Sequence, residues 1–267
     1  MPVLAWPVFD TLPVDVMVTT RAGGVSSGAG GEYATLNLGL HVGDDPADVL
    51  ENRRRAAAAL GAEPGEFIFC NQAHGRNVQI VTAADRGRGA LSCDDAIQRT
   101  DALVTRDPGT VLVVMVADCV PIVLYDPAAH VLACVHAGWR GTVARVAQAA
   151  LETMAGLGAD PGNVIAAIGP AISPDRYQVG HDVVAAARDC LGRSAESVIR
   201  PDGTGRWLFD TWTSNKLILR EAGVPGDSIH LAPVPTGTVP TGTGPGLFFS
   251  DRQTRPCGRF AAIARLR

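Results

Sequence analysis

Strand-length apolar runs alternate irregularly with segments of helical period along this chain, an order that predicts an α/β or α+β fold built on mixed β-sheets. Two further observations narrow the expectation. The 267 residues can bury a substantial core. No internal repeat or composition break interrupts them, so one domain over residues 1–267 is expected.

The elements follow in order. Residues 14–20, VDVMVTT, have the β-branched content of a strand, and the glycine-rich stretch from Arg21 to Asp45 reads as a long loop. In 46–60, Pro46 suits a first helical position and Gly61 a stop, with alanine and arginine between them, so a helix is expected. FIFCNQAHG and NVQIVTA read as two short strands joined by a loop, and the polar segment ADRGRGALSCDDAIQRTDALVT as mostly loop. Buried strands follow at 111–116 and 131–136, with a turn at Asp126–Pro127, and 142–157 repeats at helical period. NVIAAIG gives another strand, HDVVAAARDCLG and FDTWTSNKLILREAG two more helices, and the last residues a strand that returns to the main sheet. The Pro/Thr/Gly stretch at 233–246 is too irregular for an element.

The bulk numbers exclude several classes. A chain 46% hydrophobic and 19% charged is a compact soluble protein rather than a disordered one. A net charge of -4 leaves no bulk footprint for nucleic acid. The N-terminus MPVLAWPVFDTL lacks the cationic start of a signal peptide, and the apolar run near 111–125 is broken by Asp118 and Pro121, short of a membrane span. A cytoplasmic protein, monomeric or weakly dimeric, without membrane partners is therefore expected. The six cysteines (70, 93, 119, 134, 190, 257) contain no CxxC pair and read as free thiols, Cys134 and Cys190 as core packing.

Chemistry concentrates elsewhere. Cys119 sits where a buried run is broken, beside Asp118, and an apolar core seldom buries an unpaired carboxylate. His136 ends a strand and is followed by Ala-Gly-Trp-Arg-Gly, a turn whose N–H groups and Arg140 could hold an anion. His74 lies in the loop CNQAHGRN. One thiolate and two imidazoles form a set that zinc accepts, with a fourth position left open, although long spacing leaves the cluster no local signature.

TTRAGGVS (19–26), NLGLHVGDD (37–45), QAHG (72–75), TDALVT (100–105), ADCVPIVLYDP (117–127), HAGWRGT (136–142), IGPAI (168–172) with YQVG (177–180), and LFFSDR (247–252) occur together. In this order they resemble the YfiH-like family, whose members are also labelled polyphenol oxidase, laccase-domain protein, purine nucleoside phosphorylase or peptidoglycan editing factor. The resemblance implies a single α+β domain, mixed β-sheets sandwiched between helical layers, like the cysteine–histidine deamidase toxins. It implies one zinc ion on His74, Cys119 and His136. It further implies phosphorolysis of adenosine, inosine and methylthioadenosine, and deamination of adenosine. Three departures stand out: no cysteine in the segment before the final FFS, Gln253 where an arginine is usual, and Ala171 in place of cysteine.

For that chemistry Asp118 or Asp101 is the candidate proton carrier, Arg21 and Arg140 the candidate phosphate ligands, and Asn37 and Gln72 candidate contacts to base or ribose. A multicopper oxidase needs about ten histidines, usually with His-x-His pairs. This chain has six and no such pair, so copper is expected only adventitiously. The alternatives are a cysteine hydrolase with Cys119 as nucleophile and His136 as base, and a cell-wall editing factor.

Overall fold

The structure is a computed structural model that describes residues 1–237 and 246–267. Most of the Pro/Thr/Gly stretch, from 238 to 245, therefore lies outside the described residues. The elements are β1 (Val3–Leu4), β2 (Val14–Thr19), α1 (Pro46–Ala59), β3 (Phe67–Phe69), β4 (Val78–Ile80), β5 (Ala102–Thr105), β6 (Val111–Val116) and β7 (Val120–Asp126). They continue with β8 (Val131–Ala137), α2 (Trp139–Val143), α3 (Val146–Ala155), β9 (Ile165–Ile168), β10 (Gln178–Val179) and α4 (His181–Leu191). β11 (Ile199–Pro201), β12 (Trp207–Phe209), α5 (Thr211–Glu221), β13 (Ile229–Leu231) and β14 (Phe260–Leu266) complete the chain.

Two mixed sheets dominate this α+β fold, one ordered β1-β2-β14-β6-β3 and the other β13-β9-β7-β8-β5-β4. The pairs β3–β6, β4–β5 and β9–β13 are parallel, and the others in the two sheets antiparallel. The sheets pack face to face through Leu112, Val114 and Ala262 on one side and Val123, Tyr125 and Cys134 on the other. The opposite parity of β6, Val111, Val113 and Met115, meets Ala56 and Ala57 of α1. The outer face of the second sheet (Ile122, Leu124, Ala133, Val135) carries α3 and α5 through Val146, Ala150, Trp212 and Leu219. The order is helix, sheet, sheet, helix. Central strands are covered on both faces, which is why β6, β7 and β8 read as continuous apolar runs without alternation.

Helix α1 is where 46–60 predicted it, with the Asp45 carboxylate accepting from Ala47 N at 2.8 Å. The C-terminal strand β14 does return, between β2 and β6 in the middle of the first sheet. Four expectations need correction. Residues 102–105, assigned to loop on the polarity of their neighbours, form β5, buried at every position. The helix expected over 142–157 begins at Trp139 and is two pieces, because Arg145 adopts φ 61 between them. The run VLVVMVADCVPIVLY holds two strands of different sheets: the chain leaves one at Val116 and enters the other at Val120. The third sheet, β10-β12-β11, is built from strands of two or three residues, too short for periodicity to register.

Candidate metal centre and active site

β3 and β6 are parallel neighbours, so their C-terminal ends emerge side by side. Each then crosses to the other sheet. His74 lies on the crossing from β3 to β4 and Cys119 on the crossing from β6 to β7. His136 stands at the C-terminal end of β8, in register with Pro121 at the start of β7, which brings it beside Cys119. The ligand atoms of the three side chains lie within 4.8 Å of one another. The two imidazoles meet edge to face, centroids 4.7 Å apart.

One buried carboxylate organises both histidines. Asp101 Oδ1 accepts from the His74 N–H at 2.9 Å and lies 2.9 Å from His136 Nδ1, while Oδ2 accepts from Gly75 N at 2.7 Å and Ala73 N at 3.3 Å. The first set of bonds holds His74 in a left-handed conformation, φ 58, that costs a non-glycine residue energy. The second directs Nε2 of His136 toward the cluster, the arrangement by which carboxylates orient metal-ligating histidines. Burial opposes ionisation of Asp101, but His136 and the Gly75 and His74 N–H groups outweigh it and hold the carboxyl below its usual range.

Electrostatics makes Cys119 a thiolate. Burial disfavours the charge, yet His136 first and then His74 prevail and bring the thiol down to about 6. His136 moves the other way: burial is outweighed by Cys119 and Asp101, and its protonated form is favoured. An anionic sulfur and two imidazoles within reach of one point suit a soft or borderline metal ion. Space has been left for this cluster. A Cβ on Gly138 would come within 2.9 Å of Cys119 Sγ and 3.0 Å of His74 Cδ2.

The triad opens into a cavity of about 810 Å³ whose walls include Gln72, Asp118, Arg140, Tyr177, Arg252 and Arg259. Asp118, at φ 86, accepts a hydrogen bond from the Thr236 hydroxyl and one from Arg252 N at 2.6 Å. Arg140 packs its guanidinium 4.3 Å from the Trp139 ring centroid and makes no hydrogen bond or ion pair to the described residues. The helix that Arg140 belongs to, α2, has only five residues, so the anion site expected there rests on the guanidinium rather than on a helix end.

The structure does not bring the remaining candidates to the cavity as free groups. Arg21 is absent from its walls; its guanidinium donates to Ala34 O at 2.7 Å and Gly31 O at 3.4 Å and stacks on Phe249, fastening the glycine-rich loop. Asn37 is fully buried, its amide spent on Gly39, Asp44 and Arg259 N. Gln72 lines the cavity, yet its amide donates to Met115 O at 2.7 Å and accepts from Met115 N at 2.8 Å, continuing the β3–β6 ladder with a side chain. Asp101 stands behind His136 rather than on the wall.

Tyr177 and Arg252 entered the sequence reading only within the motifs YQVG and LFFSDR, and neither they nor Arg53 and Arg259 were named as site residues. Tyr177 lies under the Arg252 guanidinium at 5.2 Å, and burial raises its phenol far above the usual range. Arg53 carried a usable signal. With Val49, Asn52, Ala56 and Ala57 it forms a stripe at i, i+3, i+4, i+7, i+8, which places it on the inner face of α1.

A purine nucleoside phosphorylase, YlmD, of Geobacillus stearothermophilus is 38% identical over 92% of this chain and 88% of its own. Its crystal structure superposes with a TM-score of 0.91, covering 98% of this chain and 94% of that one at 36% identity. A purine nucleoside phosphorylase of Deinococcus radiodurans is 44% identical over 84% of this chain and 80% of its own. An adenosine deaminase, RL5, from an unknown prokaryotic organism is 39% identical over 74% of this chain and 75% of its own. The model of the family described as multi-copper polyphenol oxidoreductase laccase matches residues 15–267, so this chain is a member of that laccase-like, YfiH-type family.

Proposed function

We propose that this chain is a zinc-dependent purine nucleoside enzyme, working as one domain over residues 1–267. It would cleave adenosine, inosine and methylthioadenosine with phosphate to free base and ribose 1-phosphate, and would deaminate adenosine. The reading is carried by one observation: a thiolate and two imidazoles, one of them oriented by a buried carboxylate, on the wall of a cavity sized for a small molecule. The relatives' names supply the substrate class.

His74, Cys119 and His136 would hold the ion, which in that position supplies a Lewis acid. Asp101 serves as a positioning residue, since its oxygens already receive the N–H groups of His74, Gly75 and His136. Asp118 stands on the cavity wall with two donors on its carboxylate among the described residues and would carry a proton. Arg140, with its donors uncommitted among the described residues, suits a phosphate oxygen. The chain's six histidines, two of them in the cluster, fall short of a multicopper centre, so phenol oxidation is not the proposed activity.

Incubating the enzyme with adenosine, with and without phosphate, tests the reading through its products. Adenine and ribose 1-phosphate mark phosphorolysis, inosine marks deamination, and recovery of unchanged adenosine at full metal loading refutes both.

A second reading has its own observation: Cys119, His136 and Asp101 stand in the order nucleophile, base and orienting acid of a cysteine hydrolase. Chelation separates the two. Loss of activity with the metal supports the nucleoside enzyme, whereas a metal-free enzyme that is active and is silenced by thiol alkylation supports the hydrolase.

A further inference from the structure

The lining of the same cavity also includes His41 from the loop after Asn37, Arg53 from the inner face of α1 and Arg259 just before β14. The charges of Arg259 and Arg53 act on His41, so the three form one group, called here the second lobe. Arg53 is 1% exposed, and no carboxylate among the described residues pairs with it. Its guanidinium is held rigidly: Nε donates to Leu38 O at 2.9 Å, Nη1 to Gly89 O at 2.6 Å and Ala90 O at 2.8 Å, and the plane stacks on Phe69 with its carbon 3.8 Å from the ring centroid. Those carbonyls occupy three of the five N–H donors. Among the described residues the two on Nη2 have only the Met115 sulfur, at 4.0 Å.

The surroundings are cationic. Arg259 lies close by, sharing Asp251 with Arg255. Five arginines (53, 140, 252, 255, 259) and two aspartates (118, 251) line the whole cavity, a positive excess inside a chain of net charge -4. The basic residues divide between Arg140 and Arg252, flanking Tyr177 near the triad, and Arg53 and Arg259 in the second lobe. A neutral nucleoside with one phosphate beside the metal would leave the second group unexplained.

We propose that the lobe formed by His41, Arg53 and Arg259 is an oxyanion subsite, separate from Arg140, that takes a phosphate group. Arg53 Nη2 is its preorganised donor, while Arg259, whose own donors go to Asp251, Cys257 and Gly258, adds positive charge rather than a free hydrogen bond. The charge of the lobe is also felt by His41, which burial, Arg259 and Arg53 push down to about 4, so at neutral pH the imidazole is an uncharged lining group. A phosphate there could be free orthophosphate or the monoester group of a phosphorylated nucleoside, and the chemistry recognised is the same. This extends the proposed function but does not depend on the purine, because the lobe's charge would bind phosphate whatever the metal site acts on.

The test uses the full-length, metal-loaded protein and two probes, orthophosphate and adenosine 5′-monophosphate, by calorimetry. His41 lines the cavity, crowded on its inner side by Arg53 and Arg259 but open to water on its outer side, so His41→Glu can place a carboxylate beside the two arginines. Arg53→Lys, which keeps the charge and removes the fork, is the second variant. Metal content and Tm confirm that each variant is folded. We expect a phosphate-bearing probe to bind the wild type and to weaken tenfold or more in His41→Glu. If orthophosphate alone responds, the lobe holds the free ion; if the monophosphate responds and binds more tightly than adenosine, it holds the substrate's own phosphate. The subsite is refuted if neither probe binds the wild type, or if both keep wild-type affinity in a folded His41→Glu. A chain inactive on adenosine that still binds phosphate in this manner would refute the nucleoside reading and leave the subsite standing.

Discussion

At position 138 a hydrogen is all that the cluster leaves room for. The Cβ of an alanine would sit 2.9 Å from Cys119 Sγ and 3.0 Å from His74 Cδ2, closer than side chains pack, and both atoms belong to short, fixed groups. Gly138→Ala is therefore expected to displace the ligands and to lower metal content well below one ion per chain while far-ultraviolet dichroism stays native; full metal content would show that the cluster has slack. Asp101→Asn tests the other support. The amide cannot reproduce the acceptors for His136 Nδ1 and the His74 and Gly75 N–H groups together, so metal affinity should fall about 10–100-fold. A competition titration against a chromophoric chelator reads this directly, and an unchanged constant would remove Asp101 from the site. Cys119 and His136 were legible in the sequence because Asp-Cys inside an apolar run and a histidine closing a strand are out of place in a plain core, whereas His74, a loop histidine, joined them through the family resemblance. The role of Asp101 was not, since its four donors come from positions 73 to 75 and 136 and meet only after folding.

At the scale of elements, the two arginines named together as phosphate ligands separate. Arg140 projects from the turn after β8 into the cavity, and Arg21 ties down the loop between β2 and α1. Arg140→Ala should raise the phosphate KM about ten- to a hundredfold, the effect of losing a charge-assisted contact worth roughly 1.5–3 kcal/mol, and leave deamination much less affected. Steady-state kinetics of both reactions on one preparation make the comparison internal, and an equal loss in both would assign Arg140 to the nucleoside or the turn. Arg21→Ala should instead lower stability by about 1–3 kcal/mol in urea melts, because Ala34 O and Gly31 O lose a cationic donor. A raised phosphate KM with unaltered stability would return Arg21 to the site. Helix boundaries such as Pro46 and Gly61 could be read locally, since start and stop signals depend on adjacent residues. β5 and the three-stranded sheet could not, being short strands made by the partners they pair with.

At the scale of the whole molecule, the proposed metal ligands are also a clamp. His74 and Cys119 lie on the two crossings between the main sheets, and His136 ends a strand of the second. An ion held by all three would bind only the folded arrangement and stabilise it by mass action, about 2.7 kcal/mol at a hundredfold excess over its dissociation constant. For a chain of this size that corresponds to a fall in Tm of about 5–10 °C on removal. Chelation should produce that shift by scanning calorimetry in the wild type and none in Cys119→Ala. A wild-type Tm that stays put after verified metal loss would mean that the crossings hold together unaided.

The sequence by itself narrowed the fold to α/β or α+β on mixed sheets, a choice that only the family resemblance took to α+β, and carried the order of the larger elements and residue types able to bind a metal. These follow from hydrophobic period, caps and chemistry carried by neighbouring residues. Only the tertiary structure decided that VLVVMVADCVPIVLY changes sheets at Cys119, that β3 and β6 run parallel so that His74 and Cys119 emerge together, and that Arg53 rather than Arg21 faces the cavity. The physical reason is common to all three. Strands buried on both faces carry the same apolar composition whichever sheet they join, so pairing is chosen by packing across the core, and the positions of the reactive groups follow from that pairing.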